Sequence, residues 1–171
     1  MGQDAIELWA DCHQSLEALL PKAATAEPSV TQQSSLLKRV QEMLGVHRLR
    51  SDQDLVRLVE DRLATGAIDG LKRSGLTDDE IYSLIVPRRT LTHRRTRREA
   101  LSPEESDRAV RVARIAALGE HVFGDSKRSW HWLRAAKRQF RDRSPLQLTA
   151  TEAGARLVED LLYRIDEGMV A

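Results

Sequence analysis

Apolar residues recur along this chain at intervals of three and four, and no stretch alternates in the manner of a strand, so every element is expected to be a helix. Ile6, Leu8, Trp9, Leu16, Leu19 and Leu20 make residues 4–20 an amphipathic helix. Residues 21–35, with two prolines and almost no large apolar side chain, read as a linker. Helical spacing resumes at Leu36, Leu37, Val40, Met43 and Leu44, and Gly45 stands where a C-terminal cap belongs. Ser51 or Asp52 can open a helix running through Leu55, Val56, Leu58, Val59 and Leu63, and a short helix over residues 67–74 should stop at Gly75.

Further along, the start signals are explicit. Thr77-Asp78-Asp79-Glu80 is a capping box, in which hydroxyl and carboxylate satisfy orphan amides of the first turn. It opens a helix to Ile85 with Ile81, Leu84 and Ile85 inward; Pro87 ends that helix and suits the first turn of another. Ser102-Pro103-Glu104-Glu105 starts a helix of about 20 residues that closes near Gly124. Residues 126–140 form one more helix, carrying Trp130, Trp132, Leu133 and Phe140, until Pro145 breaks it. Thr149-Ala150-Thr151-Glu152 is a third capping box, followed by Leu157, Val158, Leu161, Leu162 and Ile165, with Gly168 as the cap and Met169-Val170-Ala171 as a short tail.

Composition agrees with an all-α chain: 41% hydrophobic and 31% charged residues over 171 positions, but only 4% aromatic. The longest charge-free run is ten mostly polar residues, far short of the roughly 20 apolar residues of a membrane span. Asp4, Glu7 and Asp11 occupy the place where a secretory signal needs positive charge, and the single cysteine, Cys12, has no internal disulfide partner. A cytoplasmic protein without membrane contact is expected.

The net charge of +1 conceals a strong asymmetry. Residues 1–35 carry −4, 36–98 carry +5, 99–124 carry −2, 125–143 carry +5 and 144–171 carry −3. Blocks of this size point to an anionic partner for part of the surface. Catalytic patterns are missing: the five histidines form no ligand pair on one helical face, and neither an HExxH motif nor a Gly-rich phosphate loop occurs. A non-enzyme without metal or cofactor is expected. Trp130 and Trp132, two positions apart, must point to different sides of a helix, one into the core and one to the surface or an interface.

Residues 88–98 hold six arginines and no acid. Such a run is either a solvated face or a nucleic-acid contact, and its position favours the second. It follows a capped helix after a tight Val86-Pro87 connection, as the second element of a helix-turn-helix does. In that geometry the first helix crosses the phosphate backbone and the second enters the major groove of double-stranded DNA. Arg88, Arg89 and Thr92 would face base edges, with Thr90 and His93 beside them, while Arg94, Arg95, Arg97 and Arg98 would meet phosphates and Leu91 would anchor the helix inward. Single-strand binding would want aromatics among the arginines, and none lies between Tyr82 and Phe123.

Taken in order, the capping box, VPRRTLTHRR, ALSPEESDRAVRVARIAA, VFGD, WL, SPLQL and TEAGARLVEDLLYRIDEG resemble the Xre–MbcA–ParS antitoxins of bacterial type II toxin–antitoxin pairs. The resemblance covers about residues 55–171. It implies an Xre-like helix-turn-helix DNA-binding domain followed by a small helical toxin-binding domain, and divides the chain into an N-terminal extension (1–50), the DNA-binding domain (51–124) and the toxin-binding domain (125–171). It also implies a RES-domain toxin that destroys NAD, neutralised by occlusion of its active site. The chain is expected to repress its own operon, and because helix-turn-helix proteins read paired half-sites as dimers, a homodimer is expected with it. The family usually has a proline after WL and a glycine before SPL, where this chain has Ala136 and Asp142 or Arg143. A free-standing repressor without a toxin is the alternative reading.

On this resemblance the toxin-binding residues are Trp132, Tyr163, Arg164, Asp166, Glu167, Gly168, Met169, Val170 and Ala171. Leu157, Leu161 and Ile165 are expected to close the antitoxin's own C-terminal core. The apolar tail, helped by a terminal carboxylate, Asp166 and Glu167, is expected to enter or seal the toxin's NAD pocket. The seven basic residues between Lys127 and Arg143 could extend the DNA surface or meet an acidic toxin. Residues 4–20 and 36–44 are expected to assist dimerisation or brace the DNA-binding domain.

Overall fold

A computed structural model describes residues 30–47 and 49–169, and the helix expected over residues 4–20 lies outside them. Nine α-helices make up the described residues: α1 (Val30–Leu44), α2 (Asp52–Glu60), α3 (Gly66–Arg73), α4 (Asp78–Leu84), α5 (Arg88–Arg97), α6 (Pro103–Phe123), α7 (Ser126–Arg134), α8 (Pro145–Leu148) and α9 (Glu152–Asp166). The all-α expectation is met.

The long helix α6 is the axis of the molecule, with α1, α2, α3, α7 and α9 packed around it. Its Val112, Ala113, Ile115, Ala116 and Leu118 are buried on several sides at once. One continuous apolar cluster therefore runs from Leu37 in α1 to Leu162 in α9. The most enclosed side chains include Met43, Ile68, Leu71, Ile81, Ile85, Ile115, Leu133 and Leu162, each worth about 1.5–3 kcal/mol relative to exposure.

Capping directs where α2, α4 and α6 begin. Ser51 with Asp54, Thr77 with Glu80, and Ser102 with Glu105 all form reciprocal boxes. The helix α1, however, begins at Val30 inside the expected linker. Its buried Leu37, Val40, Met43 and Leu44 hold it in the core, and Arg39 donates from Nε to Glu120 of α6 at 2.5 Å. The contact with α3 depends on Gly70, because any Cβ there would strike the main-chain carbonyl of Met43.

Four other boundaries differ from the sequence reading for local reasons. The helix α2 stops at Glu60, short of Leu63, because Arg62 turns left-handed (φ 65°). That turn lets the Leu63 amide donate to Ser106 Oγ at 3.0 Å and its carbonyl accept from the Leu101 amide at 2.8 Å. The helix α7 ends at Arg134 rather than continuing to residue 140; a 3-10 turn (Arg138–Phe140) then lies inside a small loop closed by the Lys137–Arg143 bridge. Arg141 and Asp142 both adopt left-handed backbone there (φ 56° and 58°), so Asp142 takes the conformation that a glycine would take without cost.

Pro145 opens a helix instead of only ending one. Ser144 caps α8 in a box with Gln147, and Pro145 sits in its first turn. Thr149 is taken up as the C-cap of that short helix, with Thr149 Oγ1 donating to the Leu146 carbonyl at 2.7 Å. Thr151 is therefore the N-cap of α9, accepting from the Gly154 amide, and the expected Thr149–Glu152 box does not form.

Candidate functional site

Two surfaces are built on this frame, the first on α4 and α5. The turn between them is tight because the Ile85 and Val86 amides both donate to the Ile81 carbonyl, at 2.9 and 3.1 Å. Pro87 precedes α5 in an extended conformation and withholds no needed amide, since the first helical amides lack partners anyway. Arg108 of α6 donates to the Ile85 carbonyl at 3.0 Å, and Leu91, only 3% exposed, pins α5 against the core.

With Leu91 inward, α5 turns Arg89, Thr92, His93 and Thr96 to solvent, flanked by Arg88 and Arg97. Thr92 Oγ1 donates to the Arg88 carbonyl at 2.9 Å and Thr96 Oγ1 to the Thr92 carbonyl at 3.0 Å, which fixes both side chains against their own helix. Thr90 is half-buried beside them. Thr96 is absent from the sequence expectation, and its four-residue spacing from Thr92 is the signal that places it on the same face.

The six arginines separate into two groups. Arg88, Arg89, Arg97 and Arg98 are exposed and carry no ion pair among the described residues; Arg98 ends α5 in a left-handed conformation (φ 56°). Arg94 is instead half-buried, with Nε 2.8 Å from the Glu105 carboxylate and Nη1 donating to the Ala100 carbonyl at 3.2 Å. Arg95 pairs with Asp69 of α3 at 2.6 Å. Residue order alone could not separate these roles, since all six lie in one short charged run.

The second surface lies on α7, the loop after it and α9. Trp130 is the core tryptophan (5% exposed), donating from Nε1 to the Ser74 carbonyl at 2.7 Å. Trp132 is the outer one: half-buried, it packs on Phe123 with centroids 5.4 Å apart, and the Lys137 ammonium sits 4.9 Å above its ring. Burial pushes the Lys137 pKa below the usual lysine value. Leu161 and Ile165 line the same concave patch as Trp132 and Lys137.

Leu157, expected in the core, is 55% exposed, because the buried row of α9 runs through Ala155, Val158 and Leu162 instead. Leu157, Leu161 and Ile165 thus form an apolar row that emerges from the core to solvent along one side of α9. Gly168 has positive φ (69°), and the Met169 amide donates back to the Arg164 carbonyl at 2.9 Å, leaving the Met169 side chain 65% exposed. Arg164, Asp166 and Glu167 are exposed, and Val170 and Ala171 lie outside the described residues.

Tyr163 is not brought to that patch. It lies on the other flank of α9, in a small pocket with Arg114, Glu159, Asp52 and the apolar Leu36 and Leu55. Burial pushes the Tyr163 phenol up, reinforced by the Glu159 charge. Burial likewise raises the Glu159 carboxyl above its usual value, against the pull of Arg114, which donates to it at 2.7 Å. No group of three or more His, Cys, Asp or Glu side chains among the described residues could hold a metal ion, and no described helix is long and apolar enough to cross a membrane.

Comparison with known proteins matches two successive stretches of the chain to families. Residues 54–114 match the antitoxin Xre-like helix-turn-helix domain, and residues 118–168 match the antitoxin Xre/MbcA/ParS C-terminal toxin-binding domain. The chain is 34% identical to the protein named antitoxin Xre of Pseudomonas putida over 130 residues, which cover 76% of this chain and 82% of that one. It is 36% identical to the antitoxin Xre of Yersinia enterocolitica over 85 residues, covering 49% of this chain and 57% of that one. The boundary between the two matches falls inside α6, so both domains share one unbroken helix. With the two domains matched in sequence order, the chain belongs to the Xre/MbcA/ParS antitoxins, the DNA-binding and toxin-binding partners in toxin–antitoxin pairs.

Proposed function

We propose that this antitoxin neutralises a RES-domain toxin that consumes NAD, and that it represses its own operon as a homodimer bound to operator DNA. The observation that carries the reading is the division of labour between elements. Exposed cations without ion pairs among the described residues gather on α5, while the apolar row and Trp132 lie on α7 and α9. One chain can then hold a duplex and a toxin together.

On the DNA side, Arg89, Thr92, His93 and Thr96 enter the major groove, where an arginine can bind guanine in a bidentate manner. Arg88 joins them from the flank, and Arg97 and Arg98 hold phosphates. A two-fold pair of chains reads two half-sites about one helical turn, roughly 34 Å, apart. On the toxin side, Trp132, Leu161, Ile165 and the exposed Leu157 dock against an apolar surface. Arg164, Asp166 and Glu167 form its polar border, and the tail from Gly168 through Met169, Val170 and Ala171 covers the entrance to the NAD pocket. Neutralisation by coverage asks no chemistry of the antitoxin.

The test is co-expression with the toxin encoded beside it, with growth and cellular NAD as readouts. Restored growth with preserved NAD supports the reading. Growth restored against a toxin that never lowers NAD excludes the RES assignment while leaving the antitoxin role intact.

A further inference from the structure

The arginine run does not account for a second group of cations, which α7 carries to the edge of the helix-turn-helix. Trp130 seats α7 on the turn between α3 and α4, over Gly75, whose positive φ (119°) and missing Cβ make room for the indole ring. Arg134 then donates to the Gly75 carbonyl at 2.8 Å and to both Glu80 oxygens, at 2.6 and 2.9 Å, with its guanidinium 5.0 Å above the Trp130 ring. These contacts hold the start of α4 and the outer face of α7 together. Around the resulting open cleft stand Arg73, Lys127, His131 and Arg134.

Two of the three cations around this cleft are left without a carboxylate partner among the described residues and so are available to an outside anion. Only Arg134 has a carboxylate partner; Arg73 and Lys127 are exposed and carry no ion pair among the described residues. The acids at the start of α4 are largely neutralised, Asp78 by Lys72 and Glu80 by Arg134, which leaves Asp79 alone without an ion pair among the described residues. In a docked helix-turn-helix the first helix crosses the phosphate backbone, and this cleft abuts the N-terminal end of that helix.

We infer that the cleft grips the DNA backbone beside α4, so that the toxin-binding domain itself supplies phosphate contacts through Lys127, together with Arg73. An acidic stretch of the toxin fits less well, because Trp132 and the apolar row face the opposite flank of α7, toward Phe123 and α9. The inference rests on the DNA-binding reading above. Phosphate contacts position a protein without reading sequence, so the cleft adds affinity and salt dependence but no base preference.

The experiment measures affinity of the full chain for its promoter duplex and for a random duplex over a range of salt. The variants are Arg73→Ala/Lys127→Ala, Lys127→Glu, and Arg128→Ala as a cation outside the cleft. The double variant should lower the slope of log affinity against log salt by about two on both duplexes, one for each cation. Lys127→Glu should weaken both duplexes further, and Arg128→Ala should leave the slope in place. An unchanged slope in the double variant overturns the inference, as does loss of the toxin complex with DNA binding intact. A wild-type chain that binds neither duplex overturns the DNA-binding reading itself, and this inference with it.

Discussion

Arg94 stands in the middle of a run of six arginines, yet its Nε lies 2.8 Å from the carboxylate of Glu105, a buried residue at the start of the central helix. Glu105 also accepts the Ser102 amide at 2.7 Å, so one carboxylate caps α6 and fastens α5 to it. Removing Arg94 leaves that buried charge without its cation. Arg94→Ala should cost about 3 kcal/mol of stability, against about 0.5 kcal/mol or less for exposed Arg97→Ala. Urea unfolding of the two variants measures the difference, and equal small losses would place Arg94 with the solvent-facing cations.

Arg88→Ala/Arg89→Ala should weaken the operator mainly, by about 1–3 kcal/mol for each bidentate arginine–guanine pair removed. Arg97→Ala/Arg98→Ala should weaken operator and random DNA alike and flatten the salt dependence. Titration of both duplexes with each variant separates the roles. Parallel losses in both variants would mean that the outward face of α5 reads no bases.

Two carboxylates give stability opposite dependences on pH. Burial alone would raise Glu80, but hydrogen bonds from Arg134 and Thr77 outweigh it and hold the carboxyl below its usual 4.5. Its contribution is full above 4.5 and is lost as pH falls through the lower folded value. Burial instead raises Glu159, so its ionised form costs stability at neutral pH, and that cost fades as pH falls through the raised value toward 4.5. Glu80→Gln should therefore lower stability at neutral pH and soften acid unfolding. Glu159→Gln should remove the gain seen on mild acidification. Urea midpoints recorded from about pH 7 to about pH 4 follow both slopes.

Trp132→Ala should leave DNA binding intact and weaken the toxin complex. An interface aromatic of this kind is commonly worth about 2 kcal/mol or more when truncated. Tyr163→Phe, on the other flank of α9, should leave the complex unchanged. Calorimetry with the purified toxin distinguishes the two, and a Tyr163→Phe variant that fails to bind would move the toxin surface to the pocket near α1.

Much of this architecture was legible because short-range chemistry dictates it. The boxes at Thr77 and Ser102 and the inward Leu91 need only their neighbours in sequence. What the sequence concealed depends on partners far along the chain. Arg94 and Arg97 look alike until Glu105 is folded against one of them. Leu157 looks as apolar as Leu161 until the rotation of α9 about its axis is known. Thr149 and Thr151 compete as caps, and the outcome depends on whether Ser144 and Pro145 open a helix just before them. The linker reading failed at Val30 because the burial of Leu37, Val40 and Met43 against α3 and α6 rewards a longer helix than local composition suggests.

On the proposed function, toxin neutralisation and DNA binding reside on separate surfaces of one continuous core. Cellular NAD, measured while the toxin is co-expressed with wild-type chain, Arg88→Ala/Arg89→Ala or Trp132→Ala, tests it most directly, with all proteins expressed from a promoter the antitoxin does not bind. NAD should be preserved by the wild type and by the arginine variant, and should fall with Trp132→Ala. Loss of NAD with the arginine variant, or full protection by Trp132→Ala, would contradict that separation of surfaces.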